Sequence, residues 1–317
     1  MKTPPFIKKG DTIAIVSTAR KVLREELKPA LQLLESWGLN AILGKTIGAE
    51  ENQFAGYDVL RATDFQQMME DPKIKAIWCA RGGYGTVRII DMLDFTTFKK
   101  SPKWIIGYSD ITVLHSHIHT LGIESLHAQM PLEIEKKTKE TSESLRKVLF
   151  GEKYSISYAA NTYKVAFGNT LQDRTSENSF KKFNRLGFAK GEIIGGNLSV
   201  LYSLCGSNSA INTDGKILFI EDLDEYLYHI DRMMMNLKRN GMLENLAGLI
   251  VGGMTKMNDN VIPFGKTADE IIFDMVKEYK YPVCFNFPAG HIEDNRALIM
   301  GREVRLKVED GNITLKF

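Results

Sequence analysis

The N-terminal half of the chain alternates between short, almost uninterrupted apolar runs and segments in which apolar residues recur at helical spacing. The apolar runs predict strands at residues 12–17, 39–43, 74–80, 104–106 and 124–130, and the periodic segments predict helices near residues 23–37, 62–70, 111–118 and 138–151. Alternating strands and helices are typical of a parallel sheet, and strands without polar alternation are typically covered on both faces. This half of the chain therefore predicts an α/β domain.

A different pattern begins after residue 151. Residues 152–190 are polar with scattered aromatic residues and little periodicity, which favours a linker that carries the first strands of a second domain. Beyond it, strands are predicted at residues 192–194, 216–222 and 246–255, with intervening helices and a closing hairpin that turns at Asp310-Gly311. The predicted organisation is therefore an N-terminal domain at 1–151, a linker at 152–190 and a C-terminal domain at 191–317.

A serine lies at the corner where one predicted strand meets a predicted helix. Residues 107–110 read Gly-Tyr-Ser-Asp, so Ser109 follows the strand at 104–106 and precedes a helix that continues through Ile118. Such a corner can expose a hydroxyl, and the first N–H groups of a helix have no partner within the helix and can bind an oxyanion. Ser and Asp are also favoured helix caps, so capping is the alternative role for Ser109 and Asp110.

Polar residues follow other predicted strands as well. Residues 80–85, Ala-Arg-Gly-Gly-Tyr-Gly, come after the strand that begins at Ile74, at a position where open α/β sheets tend to bind ligands. Their glycines allow backbone N–H groups to approach a ligand, and the guanidinium of Arg81 suits a carboxylate. Three further groups follow predicted strands of the second domain. They are the glycine turn Gly195-Gly196-Asn197, the carboxylates of Glu221 and Asp222, and the imidazole of His291. Each of these motifs alone is also consistent with an ordinary turn.

Three histidines after the serine corner raise the question of a metal site. On a helix, His115 and His119 share a face whereas His117 points away, and no carboxylate occupies a matching position. The pattern therefore favours a role other than metal binding.

Composition narrows the classes of partner. The chain has 317 residues, of which 44% are hydrophobic and 25% charged, and its net charge of +2 gives no reason to expect a nucleic-acid or membrane partner. The N-terminus reads as a first strand and not as a signal peptide, and no apolar run approaches the roughly 18 residues of a membrane span. Cys79, Cys205 and Cys284 lie far apart in apolar segments, which predicts buried free thiols in a reducing cytoplasm. A small-molecule partner is therefore expected.

Six short motifs in order along the chain resemble the LD-carboxypeptidase family of serine peptidases. The motifs span residues 10–16 (GDTIAIV), 81–85 (RGGYG), 107–110 (GYSD), 195–198 (GGNL), 219–222 (FIED) and 290–291 (GH). This family includes muramoyltetrapeptide carboxypeptidases and the self-immunity peptidases against microcin C. The resemblance implies a flavodoxin-like N-terminal domain and a smaller C-terminal α/β domain with a β-barrel-like core.

The same resemblance implies roles for individual residues. Ser109 would be the nucleophile, His291 its general base and Glu221 the carboxylate that orients the imidazole. The N–H of Asp110 is the first candidate for an oxyanion donor, followed by Gly83 or Gly82. The candidate substrate contacts are Arg81, Gly82, Tyr84, Gly196 and Asn197. The chemistry requires neither a metal nor an organic cofactor, and the resemblance suggests a homodimer.

Three functions are consistent with these residues and this resemblance. The first is a carboxypeptidase that releases the terminal D-alanine of murein tetrapeptides during cytoplasmic cell-wall recycling. The second is a peptidase that detoxifies peptidyl or aminoacyl nucleotide antibiotics of the microcin C type, in which Tyr154, Tyr158 or Tyr163 could stack on a base. The third is a non-catalytic protein that binds a muropeptide in a cleft.

Overall fold

The computed structural model describes residues 1–159, 164–167, 170–173 and 183–317, which form two compact units. Unit 1 contains Met1–Lys153, Gly206–Ala210 and Glu293–Gly301. Unit 2 contains Tyr154–Cys205, Ile211–Ile292 and Arg302–Phe317. The chain therefore leaves unit 1 near residue 153 and returns to it for two short segments.

Unit 1 is built on a six-stranded sheet with the strand order β13-β5-β4-β3-β1-β2. Its strands are β1 Thr12–Val16, β2 Asn40–Leu43, β3 Ile74–Cys79, β4 Trp104–Gly107, β5 Ser125–His127 and β13 Leu298–Met300. Its helices are α1 Lys28–Ser36, α2 Asp58–Glu70, α3 Thr96–Lys100, α4 Thr112–Thr120 and α5 Lys139–Leu149. The first five strands pair in parallel, as their apolar runs predict, and β13 pairs antiparallel to β5.

Two details of unit 1 differ from the sequence prediction. The helix predicted at residues 23–37 is a 3-10 turn at Glu25–Leu27 followed by α1, because Pro29 lacks an N–H and is accommodated only in the first turn of an α-helix. Strand β13 was not predicted at all. Its three apolar residues are too few to show a period, and only pairing with β5 makes them a strand.

Unit 2 is built on a seven-stranded mixed sheet with the order β12-β11-β10-β9-β14-β15-β6. Its strands are β6 Ser155–Ala159, β9 Gly187–Asn197, β10 Ile217–Leu223, β11 Gly248–Thr255, β12 Val283–Cys284, β14 Glu303–Glu309 and β15 Asn312–Lys316. A separate two-stranded ribbon consists of β7 Lys164–Phe167 and β8 Thr170–Asp173. The helices are α6 Leu198–Leu204, α7 Leu227–Arg239 and α8 Ala268–Val276.

Strands β9 to β12 run in parallel, and the carboxyl ends of β9, β10 and β11 lie at one edge of the sheet. Helix α7 packs its apolar face into the core of unit 2, where Met233 and Met234 are fully buried. The predicted closing hairpin is β14 and β15, with Leu306 opposite Leu315 and Val308 opposite Ile313. The prediction of an α/β fold with a parallel N-terminal sheet is confirmed.

The cysteines, the predicted linker and the lengths of the helices bear on three further expectations. Cys79 and Cys284 are buried free thiols, as predicted, whereas Cys205 is only half-buried. Part of the predicted linker, together with Tyr163, lies outside the described residues. Across the described ranges, no helix is both long and apolar enough to cross a membrane.

Candidate active site

The serine corner of unit 1 has the backbone shape of a nucleophile elbow. Strand β4 ends at Gly107, and Tyr108 is extended. Ser109, with a φ of 63°, begins the 3-10 turn Ser109–Ile111 that leads into α4. A non-glycine residue in this left-handed region costs about 1–2 kcal/mol, so surrounding contacts must hold it there. Ser109 keeps 9% of its surface exposed. Ser109 is therefore a largely buried residue held in a strained turn at the end of β4.

The predicted glycine turn lies directly against this serine. A Cβ on Gly82 would be 3.3 Å from Ser109 Cβ, 3.4 Å from Ser109 Oγ and 3.4 Å from the nitrogen of Asp110. The Asp110 N–H belongs to the first turn after the corner and therefore has no partner within the helix. The structure thus brings together Gly82, Ser109 and the first candidate oxyanion donor. Gly83 follows with a φ of 104°, and a Cβ there would overlap the side chain of Arg20.

The Asp110 side chain ties the corner to the glycine turn. Its Oδ2 accepts a hydrogen bond of 2.9 Å from the N–H of Thr86, at the end of the turn. Burial raises the pKa of Asp110, and the hydrogen bonds from Thr86 oppose this shift. Asp110 therefore has a structural side chain in addition to its candidate backbone role.

The two side chains of the glycine turn that are candidate substrate contacts, Arg81 and Tyr84, differ in how far the fold already engages them. The Nη1 atom of Arg81 donates to the carbonyl of Lys21 at 3.0 Å, so part of the guanidinium is already engaged. Tyr84 is 49% exposed, and its ring lies 6.2 Å from that of Phe54. Tyr84 therefore presents an accessible aromatic surface, whereas Arg81 is partly fixed by the fold.

In unit 2, the buried Glu221 is hydrogen-bonded to His291, whose side chain is 15% exposed. Glu221 is fully buried near the end of β10, and its Oε2 lies 2.6 Å from His291 Nδ1. The same oxygen accepts the backbone N–H of His291 at 3.2 Å. A carboxylate oxygen only accepts, so Nδ1 carries the proton and Nε2 of a neutral imidazole is the acceptor. This is the tautomer that a general base requires.

Glycines make room for the loop that carries His291. Gly290 has a φ of 103°, and a Cβ there would lie 2.8 Å from Glu221 Oε2. On the neighbouring β11, a Cβ on Gly252 would be 2.5 Å from the carbonyl of Ala289, and one on Gly253 would be 2.6 Å from Ile292 Cγ2. Sequence reasoning missed this function of Gly252 and Gly253. The signal was present, because paired glycines within an apolar strand indicate the close approach of another backbone.

The second glycine turn packs beside this pair. Gly196 has a φ of 143°, and Asn197 is the register neighbour of Glu221. Asn197 Oδ1 accepts the N–H of Val200 at 3.2 Å and caps α6, while its Nδ2 donates to Asp222 at 2.9 Å. Both polar side-chain atoms of Asn197, a predicted substrate contact, thus already make hydrogen bonds within unit 2.

Asp222 is a further charged residue that sequence reasoning did not assign to the site. Its carboxylate accepts three hydrogen bonds, from Asn197 Nδ2 and from the N–H groups of Ser199 and Leu223. Burial, and then the adjacent charge of Glu221, raise the pKa of Asp222 to about 7, against the lowering by these donors.

On α4, His115 and His117 have hydrogen-bond partners in unit 1. His115 Nε2 lies 2.9 Å from the carbonyl of Gly107 and its Nδ1 lies 2.8 Å from Ser125 Oγ. His117 Nδ1 lies 3.0 Å from Ser209 Oγ. Among the residues that the structure describes, no cluster of three or more His, Cys, Asp or Glu side chains could hold a metal ion.

A left-handed serine at a strand-to-helix corner and an imidazole bonded to a buried carboxylate are the elements of a serine-type hydrolase. The LD-carboxypeptidase N-terminal domain family matches residues 13–128, and the C-terminal domain family matches residues 190–306. The chain is 34% identical to the "probable murein peptide carboxypeptidase" of Bacillus subtilis, over 97% of this chain and 92% of that protein. The chain belongs to the LD-carboxypeptidase family and is a serine-type carboxypeptidase.

Two further comparisons cover almost the whole chain. The microcin C7 self-immunity protein MccF of Escherichia coli is 25% identical over 96% of this chain and 93% of that protein. The crystal structure of muramoyltetrapeptide carboxypeptidase from Oxalobacter formigenes superimposes with a TM-score of 0.81 at 25% identity, covering 96% of this chain and 97% of that structure. The family therefore includes relatives named for both murein peptides and an antibiotic.

Proposed function

We propose that this protein releases the terminal D-alanine from murein tetrapeptides by cleaving the L-to-D peptide bond, as a step of cytoplasmic cell-wall recycling. The observation that carries the proposal is the 2.6 Å contact between Glu221 Oε2 and His291 Nδ1, which fixes the imidazole tautomer that a general base needs. The 34% identity, over 97% of this chain, to a relative named as a probable murein peptide carboxypeptidase supports the substrate class.

In this mechanism Ser109 Oγ attacks the peptide carbonyl while His291 Nε2 takes the hydroxyl proton. Glu221 stabilises the imidazolium that forms, and His291 then gives the proton to the departing D-alanine nitrogen. The N–H of Asp110 and a backbone N–H of Gly83 or Gly82 stabilise the oxyanion. Water then attacks the acyl-enzyme while His291 Nε2 takes a proton from it, and His291 returns this proton to Ser109 Oγ as the shortened peptide leaves.

A C-terminal exopeptidase must also bind a free carboxylate. The backbone of the Gly82-Gly83 turn and the Arg81 guanidinium are the proposed ligands, although Arg81 donates one hydrogen bond to Lys21. Tyr84, Gly196 and Asn197 are the remaining proposed contacts. Tyr84 is supported by its exposure, whereas Asn197 would act mainly by holding the turn in place.

The test is mass spectrometry of the protein incubated with a disaccharide-free murein tetrapeptide that ends in D-alanine, beside the diastereomer that ends in L-alanine. We expect loss of one alanine from the D form alone. Ser109→Ala should lower the rate by about 10⁴-fold or more, because it removes the nucleophile. Ser116→Ala, which changes a buried serine on the following helix, is the matched control and should retain activity. Full hydrolysis by Ser109→Ala would refute the mechanism.

The second candidate function is hydrolysis of peptidyl or aminoacyl nucleotides, and the near full-length similarity to the microcin C7 self-immunity protein supports it. Two of the tyrosines expected to stack on a base are engaged within unit 2. Tyr154 stacks on Phe317 at 5.2 Å, and the Tyr158 hydroxyl donates to the carbonyl of Phe285 at 2.9 Å. Side-by-side turnover of a tetrapeptide and an aspartyl sulfamoyl adenosine would separate the two functions.

The family resemblance also supports a homodimer and a cytoplasmic location, and the near-neutral net charge of +2 supports a peptide partner over nucleic acid. Light scattering coupled to size-exclusion chromatography tests the dimer, which should have twice the 35.8 kDa mass of the chain.

A further inference from the structure

The strained turn at Ser109 begins at the carbonyl of Gly107, the last residue of β4. Two donors hold this carbonyl. One is the N–H of Ala128 at 3.0 Å, which follows β5, and the other is Nε2 of His115 at 2.9 Å. Both lone pairs of the oxygen are therefore occupied, and its direction is fixed.

His115 lies on α4, the helix that leaves the same corner. Its bond back to Gly107 links the helix to the strand end and encloses Tyr108, Ser109 and Asp110 between the two anchor points. We expect a rotation of the Ser109 backbone out of its φ of 63° to displace one of these anchors.

The chemistry of the contacts defines the state of the ring. A carbonyl oxygen cannot donate, so His115 Nε2 carries a proton, and Nδ1 then accepts from the Ser125 hydroxyl at 2.8 Å. His115 is only 2% exposed and Ser125 only 1%. Burial, followed by the nearby His127, lowers the pKa of His115 to about 3, so the ring is neutral at physiological pH.

We propose that His115 is a positioning residue for the nucleophile: its Nε2–H, bonded to the Gly107 carbonyl, holds Ser109 in the left-handed conformation that presents Oγ for attack. This inference rests on the proposed function, in which Ser109 is the nucleophile. In this inference the buried His115 binds the Gly107 carbonyl and thereby influences the Oγ atom of Ser109, two residues further along the chain.

The test replaces the donor and then restores it. His115→Phe keeps a buried ring without the N–H, and we expect kcat to fall roughly 10- to 100-fold with KM within about twofold, because a displaced nucleophile affects the reaction more than binding. In His115→Gln the side-chain amide can reach the Nε2 position, and we expect it to recover most of the lost kcat. Tyr281→Phe, which removes a buried donor to the carbonyl of Leu243 in unit 2, controls for a general loss of stability.

Two measurements are independent of peptide hydrolysis. The rate at which a fluorophosphonate labels Ser109, followed by mass spectrometry, should fall in His115→Phe in parallel with kcat. Long-range ¹H–¹⁵N spectra of histidine-labelled wild-type protein should show one imidazole that remains in the Nε2–H tautomer across neutral pH and is missing from the His115→Gln spectrum.

The outcomes separate this inference from the proposed function. Equal kcat and labelling rates in His115→Phe and the wild type, or an equal loss in Tyr281→Phe, would refute a positioning role while leaving Ser109 as the nucleophile. A Nδ1–H tautomer would refute it even if the Phe variant failed to fold. If wild-type Ser109 were labelled but no murein peptide were cleaved, only the proposed substrate would be refuted, and the labelling series would still test His115.

Discussion

Ser109 in unit 1 and His291 in unit 2 each lie against a glycine, but the two residues are fixed in different ways. Ser109 is held by backbone shape: a φ of 63°, the close approach of Gly82 and the bonded carbonyl of Gly107. His291 is held by a side chain, since one oxygen of the fully buried Glu221 binds both its ring and its backbone N–H. Steric substitutions should therefore affect the first region most, and changes of charge the second.

The largest expected effect comes from removing the charge of the Glu221–His291 pair. Glu221→Gln should lower kcat by about 10⁴-fold at neutral pH, the size of loss known when a triad carboxylate becomes an amide, because the amide can stabilise the wrong imidazole tautomer. Steady-state kinetics on the tetrapeptide measures it.

The matched control for that change is Glu192→Gln. It removes a partly buried carboxylate of the same unit, whose Oε2 lies 2.7 Å from Lys216 Nζ. If both variants lost activity equally, the effect would belong to the stability of unit 2 and not to the imidazole.

A smaller effect is expected from adding one methyl group in unit 1. The φ of Gly82 lies outside the left-handed region, so Gly82→Ala adds little backbone strain, but its Cβ would come within 3.4 Å of Ser109 Oγ and of the Asp110 nitrogen. Crowding of the proposed nucleophile and of one proposed oxyanion donor should lower kcat by about 10²- to 10³-fold.

Gly248→Ala in unit 2 provides an equally tight comparison, because its Cβ would lie 3.3 Å from Ala189 Cβ and from Leu306 Cδ2. Each variant should lower the free energy of unfolding by about 1–3 kcal/mol, whereas only Gly82→Ala should lose activity. Chemical denaturation and kinetics on the same samples would show this; a fully active Gly82→Ala would remove the glycine turn from the site.

The last prediction concerns stability and not activity, and it depends on the pH and on Asp222. The raised pKa of about 7 means that folded Asp222 keeps its proton to higher pH than the unfolded chain, where the pKa is near 3.8. The resulting stabilisation is complete below about pH 3.8 and is lost as the pH rises through about 7, with a slope of at most about 1.4 kcal/mol per pH unit. The free energy of unfolding of the wild type, minus that of Asp222→Asn, should therefore fall between pH 4 and 7. A difference that rises over this range would show that the three N–H donors outweigh burial.

Much of this arrangement could be predicted from local pattern. The change from an apolar run to helical period located Ser109, and the end of the apolar run before two acidic residues located Glu221 and Asp222. The residues alone could not show which of these two carboxylates binds His291, because the choice depends on the loop at Gly290 packing against β10. Family resemblance, and not periodicity, assigned Glu221.

Tertiary contacts account for what the sequence did not show. His115, His117 and His119 together suggest a metal site, yet the ring of His115 bonds to Gly107 and Ser125, which lie on the strands directly before and after its own helix. In the same way, the apolar residues of β13 become a strand only through their pairing with β5.

The late position of β13 has a consequence for biosynthesis. Strand β5 has its outer neighbour only when residues 298–300 have emerged from the ribosome, after most of unit 2 has been made. Until then the growing chain carries an N-terminal sheet whose β5 edge is open, and an open edge can pair with other nascent chains. A fragment cut at residue 153 keeps that edge permanently. Expression of the N-terminal unit should therefore include a tethered copy of residues 293–301, and full-length synthesis should be most prone to aggregation during the interval before that segment arrives.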